Sequence, residues 1–120
     1  MTFAYSLGGL TSFSTTETFA YTGTAVTIPD VATADFPITI PATGSITDVN
    51  VRLRLNHPFN SDVTLALIGP DGTNVSLTSS LGGSNYGSGN NDCTGLPTIL
   101  DDQAATAITS GSAPYVEIGR

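Results

Sequence analysis

The chain has 120 residues and a net charge of −7, because it contains ten acidic residues, three arginines and no lysine. This length suits a single modest hydrophobic core, and the negative charge disfavours nucleic acid and anionic membranes as partners. The single cysteine excludes a disulfide within the chain, and no segment is long and apolar enough to predict membrane insertion. Many Gly, Pro, Thr and Ser residues favour short strands joined by turns.

The N-terminal third contains weak strand patterns. Residues 1–16 are rich in Thr, Ser and Gly, which predicts an N-terminal arm or linker, or at most an edge strand. The segment ETFAYTGTAVTI at 17–28 predicts a bent first strand that ends at Pro29. FPITI at 36–40 predicts a second, short strand.

Regular alternation follows in ITDVNVRLRLNH at 46–57. Apolar and polar side chains alternate here, with the period of a strand that has one buried and one solvent-exposed face. The predicted inward residues are Val49, Val51, Leu53 and Leu55. Arg52 and Arg54 lie on the predicted exposed face.

The next two predicted strands form a hairpin around the turn GPDG. The strand DVTLALIG before the turn and the strand TNVSLT after it both alternate. The side chains predicted to point inward are Val63, Leu65, Leu67, Val75 and Leu77.

A polar loop and an acidic segment complete the pattern. The stretch from Gly82 to Gly95 has almost no apolar residue, which indicates a long loop that needs a bound ion or a partner for order. PTILDDQAATAITS follows, with adjacent carboxylates at Asp101 and Asp102. Its AATAI portion fits either a short helical turn or a strand.

In this order the motifs resemble the P-domain family of subtilisin-like proprotein convertases and bacterial exported proteases. The resemblance rests on IPD at 28–30, His57 five residues before Asp62, the SDVTLALIGPDGT hairpin and the DDQA segment. It implies an all-β, jelly-roll-like antiparallel β-sandwich over residues 17–120. The family's late Trp-containing segment has no counterpart here. The expected sandwich is therefore either incomplete, closed differently, or completed by a strand from another chain.

We expect no enzymatic activity from this chain. His57 is the only histidine, and a serine-hydrolase site would need it beside a nucleophilic serine and an orienting carboxylate. No nucleophile-elbow sequence G-x-S-x-G is present. In the family interpretation, His57 makes structural hydrogen bonds at a strand end.

Calcium is the expected cofactor, because it takes six to eight oxygen ligands from loop carboxylates, amides and carbonyls. The candidate ligands are Asp62, Asp101 and Asp102, supplemented from the glycine-rich loop by Asn90, Asn91 and Asp92. Two simpler interpretations remain open. Asp62 could cap a turn, and Asp101 and Asp102 could merely be solvated. Asp71 is better explained as a turn residue.

The resemblance implies a non-catalytic, calcium-stabilised accessory module that packs beside an adjacent protease or other exported domain. The composition is typical of exported bacterial proteins, so we expect an extracellular or cell-surface location. The alternative is a subunit that assembles with copies of itself into a filament or surface layer. A carbohydrate-binding jelly roll is a third option, suggested by four scattered tyrosines. Cys93 is either a free thiol or pairs outside the chain.

Overall fold

The computed structural model describes residues 2–6, 14–41, 43–88, 95–116 and 118–119. Contacts divide the chain into two compact units, Met1–Val51 and Arg52–Arg120. The strands are β1 (Thr2–Ser6), β2 (Ser14–Thr18), β3 (Ser45–Leu53), β4 (Thr64–Ile68), β5 (Asn74–Ser79), β6 (Thr98–Leu100) and β7 (Ile118–Gly119). Two 3-10 turns cover Asn60–Asp62 and Ile108–Ser110. No helix in these ranges is long and apolar enough to cross a membrane.

In the first unit, β1 pairs antiparallel with both β2 and β3. The strand predicted at 17–28 is wrong beyond Thr18, and the strand predicted at 36–40 does not form. Pro29, Pro37 and Pro41 each remove a backbone donor from this stretch. Most of its side chains are exposed, so it also lacks the buried face that stabilises a strand. The division into an arm at 1–16 and a sandwich at 17–120 stays a prediction.

In the second unit, β4 and β5 form the predicted antiparallel hairpin. Burial alternates from buried Val63, just before β4, to exposed Ile68 at the end of β4, as the sequence pattern predicts. Val75 differs from the prediction, because half of its side chain is exposed. The pairing register shifts between Leu65 and Ala66. Because of this irregularity, buried and exposed side chains do not alternate regularly along β5. Thr78 is consequently the buried residue of β5.

The strand β6 pairs with β7 in the parallel direction, with Ile99 opposite Ile118. The hairpin and this pair belong to different sheets, so the second unit by itself contains strands of two sheets, as a β-sandwich requires. The pairs β1–β2, β1–β3 and β4–β5 are antiparallel. The predicted all-β fold class is confirmed. For the AATAI segment, the structure has a 3-10 turn that begins at Ile108 and no strand.

Among the side chains that the structure describes, the buried apolar ones lie in the second unit. There are seven of them: Val63, Leu81, Tyr86, Leu100, Ala104, Ile108 and Tyr115. Three polar side chains share this interior, namely Asn60, Thr78 and Thr98. Burying polar groups is tolerated only where they are hydrogen-bonded. The hydrogen bonds of these three polar residues therefore fix the positions of the loops in this unit.

Candidate functional site

Two stacked tyrosines join the glycine-rich segment to the C-terminal loop. The ring centroids of Tyr86 and Tyr115 lie 5.5 Å apart, with an angle of 23° between the planes. The hydroxyl of Tyr115 donates to the carbonyl of Gly82 at 2.9 Å, and burial raises the pKa of this phenol. Thr98 donates from its hydroxyl to the carbonyl of Tyr115 at 2.6 Å. Tyr115 is thus held by hydrogen bonds at both its hydroxyl and its backbone carbonyl.

The N-terminal part of the predicted polar loop is therefore well packed. Tyr86 is fully buried, and its hydroxyl accepts a hydrogen bond from Thr78 at 3.3 Å. Tyr86 also exchanges both backbone hydrogen bonds with Leu55, at 2.8 and 2.9 Å. Packing and backbone pairing hold this part of the loop in place.

Two asparagines connect the loop after β3 to the same segment. The backbone N–H of His57 donates to Oδ1 of Asn85 at 2.8 Å, and the N–H of Asn85 donates to the carbonyl of His57 at 3.0 Å. Nδ2 of Asn60 donates to the carbonyl of Asn85 at 2.9 Å. The N–H of Asn60 donates to the carbonyl of Gly83 at 2.8 Å. Four hydrogen bonds thus fix the loop that carries Asp62.

The side-chain oxygen of Asn60 has no hydrogen-bond partner among the described groups, although the residue is 0% exposed. Turning the amide over would not help, because Nδ2 already donates to a carbonyl and the oxygen would then face that carbonyl. A buried amide oxygen in this situation suits an ordered water or a cation.

The ring of His57 contacts the backbone of Phe59. Nδ1 lies 2.8 Å from the Phe59 carbonyl oxygen and 3.1 Å from its backbone nitrogen. These distances place the imidazole at a local turn, in agreement with the predicted structural role.

Asp101 and Asp102 lie directly after β6, at the start of a turn. Oδ1 of Asp101 accepts from the N–H of Gln103 at 2.8 Å, and its backbone N–H donates to the carbonyl of Gly119 at 2.8 Å. Asp101 is half-buried, whereas Asp102 is exposed. A carboxylate oxygen of Asp101 and one of Asp102 lie within 4.8 Å of each other. Two negative charges this close repel, and a cation between them would relieve that repulsion.

The other predicted ligands are placed differently. Asp62 ends the first 3-10 turn, is exposed, and accepts a hydrogen bond from the hydroxyl of Ser61 at 3.4 Å. In the described part of the chain it is not grouped with Asp101 and Asp102. Asn90, Asn91, Asp92 and Cys93 lie outside the described residues.

Asp71 has the turn role that the sequence predicts. Its two carboxylate oxygens accept from the N–H and the hydroxyl of Thr73, both at 2.9 Å. These hydrogen bonds, the backbone one first, hold the pKa of the Asp71 carboxyl below its ordinary value. The interpretation of Asp71 as a turn residue is confirmed.

The second unit also presents apolar side chains at its surface. Of its described residues, four large apolar ones are more than half exposed: Phe59, Ile68, Val75 and Leu96. Phe59 directly precedes the first 3-10 turn. Ile68 and Val75 lie at the turn end of the hairpin, where Val75 is opposite Leu67 and Ile68 is opposite Asn74. Exposed apolar side chains are common at the centre of interfaces between domains.

The sequence interpretation missed the residues that hold these loops together. Tyr86 was one of several scattered tyrosines, and Asn60, Asn85 and Thr98 received no role. Their contacts join segments 16 to 28 positions apart, which local periodicity does not register. The one available signal was a lone aromatic residue within an otherwise polar loop, since such a residue needs a place in the core.

The sequence matches the model of a known protein family. The family model of the proprotein convertase P-domain matches residues 46–105, which is half of the 120 residues. The matched range begins within β3, includes the β4–β5 hairpin, and ends just after the acidic pair Asp101 and Asp102. No curated protein and no solved structure matches the chain.

Proposed function

This chain belongs to the proprotein convertase P-domain family, and we propose that it is a non-catalytic accessory module that docks beside a subtilisin-like protease domain and stabilises it. P-domains are accessory domains of such proteases and carry no catalytic machinery of their own. The family match over residues 46–105 is the observation that carries the proposal. Stabilisation of a protease catalytic domain by the added chain is its direct test.

Docking would use the exposed apolar side chains of the second unit. Phe59 is the best candidate, because its neighbour Asn60 is held by hydrogen bonds to Gly83 and Asn85 and the ring projects from an ordered turn. A preorganised aromatic side chain loses little conformational entropy when it enters a partner's pocket. The net charge of −7 would add electrostatic selectivity to this docking.

We place the module outside the cell, at an extracellular or cell-surface location. The family occurs in secreted and exported proteases. A chain with no lysine and abundant Thr, Ser, Asn and Gly supports the same location on compositional grounds. Secretion of the chain by its host, detected in culture medium with an antibody, is the expected result.

Calcium binding at Asp101 and Asp102 is the second part of the proposal. The hydrogen bonds of Asp101 to Gln103 and Gly119 orient its carboxylate, so part of the ligand arrangement exists before the ion binds. Asp102 is exposed and can complete the contact from the solvent side. Backbone carbonyls and water would supply the remaining oxygens that calcium requires. Asp62, Asn90 and Asp92 stay further candidate ligands.

We expect calcium to raise the melting temperature of the purified chain relative to the chelated protein. At a hundredfold excess over Kd, ligand binding stabilises the folded state by about 2.7 kcal/mol. For a domain of this size that corresponds to a rise of roughly 10 °C. The substitution Asp102→Asn should remove most of this rise, because it neutralises one of the two carboxylates.

The matched control is Asp35→Asn, which makes the same change of charge at an exposed position in the first unit. It should leave the calcium effect intact. A melting temperature that does not respond to calcium, or an equal loss in both variants, would contradict a calcium site at Asp101 and Asp102. Neither result would affect the docking proposal, which is tested separately.

A self-assembling structural subunit is the second candidate function. Among the described strands, β4 and β5 pair only with each other, so the hairpin presents open backbone edges. Open edges can accept a strand from another chain. Light scattering separates the two functions, since an accessory module should have the mass of a monomer and a filament subunit should form ordered multimers. Calcium-independent multimers would favour the filament.

A further inference from the structure

The turn between β4 and β5 contains the one Asp-Gly pair of the sequence, Asp71–Gly72. In such a pair the glycine backbone nitrogen can attack the side-chain carboxyl carbon of the aspartate, because glycine has no side chain to shield its nitrogen. A carbon–nitrogen bond forms, one water molecule leaves, and a five-membered succinimide ring results. Water then opens the ring at either carbonyl and yields aspartate or isoaspartate.

In the folded turn, both reacting groups are engaged in other contacts. The N–H of Gly72 donates to the carbonyl of Gly69 at 3.0 Å, which directs the nucleophilic nitrogen away from the carboxylate. Oδ1 of Asp71 accepts from the N–H of Thr73, and Oδ2 accepts from the Thr73 hydroxyl, both at 2.9 Å. Ring closure would break all three hydrogen bonds.

The surroundings of the turn restrict the carboxylate further. A Cβ atom placed on Gly69 would lie 3.1 Å from Oδ1 of Asp71, so the carboxylate lies close over the backbone of Gly69. The N–H of Gly69 donates to the carbonyl of Thr73 at 2.8 Å and closes the turn beneath it. The lowered pKa of Asp71 also keeps the carboxyl group ionised, and the ionised form is a poor electrophile because its leaving group would be an oxide ion.

We propose that Asp71–Gly72 is a site of isoaspartate formation and that the hydroxyl of Thr73 suppresses the reaction in the folded protein. Exposure makes this protection important, since solvent reaches both Asp71 and Gly72. Isoaspartate would insert one extra carbon atom into the main chain of the turn. The two backbone hydrogen bonds between Gly69 and the residues that follow Asp71 would then lose their geometry, and the hairpin register would be disturbed.

The test measures isoaspartate at position 71 by mass spectrometry of peptides, after incubation at neutral pH. Folded wild-type protein should convert much more slowly than the same chain in urea. Thr73→Val should accelerate conversion in the folded state by about tenfold, the effect of losing one hydrogen bond to a charged group. Thr73→Ser retains the hydroxyl and should convert at nearly the wild-type rate.

A control variant isolates the Asp71 contact from general effects on the hairpin. Thr64→Val removes another hydroxyl of the hairpin, which lies 3.4 Å from the hydroxyl of Ser79 and does not contact Asp71. It should leave the conversion rate unchanged. Equal rates in the folded and urea-denatured wild type would overturn the proposal. So would a Thr73→Val protein, confirmed as folded by its melting curve, that converts no faster than wild type.

Discussion

Replacement of Tyr86 with alanine is expected to lower the free energy of unfolding by about 3–5 kcal/mol, as for other buried aromatic residues. Tyr86 is fully buried, stacks on Tyr115, and pairs through its backbone with Leu55. Its ring joins the glycine-rich segment to the C-terminal loop, so the substitution leaves a cavity where the two segments meet. Urea denaturation followed by circular dichroism measures the loss.

The matched control is Tyr86→Phe, which keeps the ring and removes only the hydroxyl contact with Thr78 at 3.3 Å. We expect a loss of about 1 kcal/mol for that variant. If alanine and phenylalanine cost the same, the ring does not anchor the loop and our description of the core is wrong.

Gly87→Ala should be the second most damaging change, with a loss of about 2–4 kcal/mol. Gly87 has a φ of +81°, and a Cβ atom at this position would lie 2.8 Å from the carbonyl oxygen of Leu96. The substitution therefore combines left-handed backbone strain with a collision against the main chain. Denaturant unfolding measures the effect.

Gly72→Ala separates these two causes. Gly72 has a similar φ of +87°, but a Cβ atom placed on it would meet nothing within 4 Å. This variant should show only the backbone penalty, about 1–2 kcal/mol. Equal losses at Gly72 and Gly87 would mean that the Leu96 carbonyl moves aside freely and that the closure of the loop is loose.

The sequence predicted the strands best where one face is wet and the other is buried. That alternation occurs in both sequence and structure from Val51 in β3 to Leu55 just beyond it, and from Val63 through β4 to Ile68. The prediction failed at Val75, because an irregular register is decided by pairing across strands and not by the pattern of one strand. It also failed at 36–40, where an apolar run between prolines finds no strand partner.

The candidate site was predictable to a smaller extent. Adjacent carboxylates are visible in any sequence, and Asp101 and Asp102 do lie close together. The position of Asp62 relative to them depends on tertiary contacts that a local pattern does not contain. The roles of Asn60 and Asn85 depend on hydrogen bonds across 25 residues, which form only when the two loops meet. By contrast, the contacts of Asp71 are local, so the PDGT sequence was sufficient to predict its turn.

We propose from the family match over residues 46–105 that this chain docks on and stabilises a subtilisin-like protease domain. The most direct measurement is the melting temperature of the subtilisin-like catalytic domain from the same organism, with and without an excess of this chain in calcium-containing buffer. Phe59→Ser serves as the variant that weakens docking, and Asp35→Asn serves as a surface control. We expect the wild-type chain and the control to raise the melting temperature of the catalytic domain and Phe59→Ser to raise it less. An unchanged melting temperature with the wild-type chain, together with multimers of the chain in solution, would contradict docking on the protease domain and favour the structural subunit.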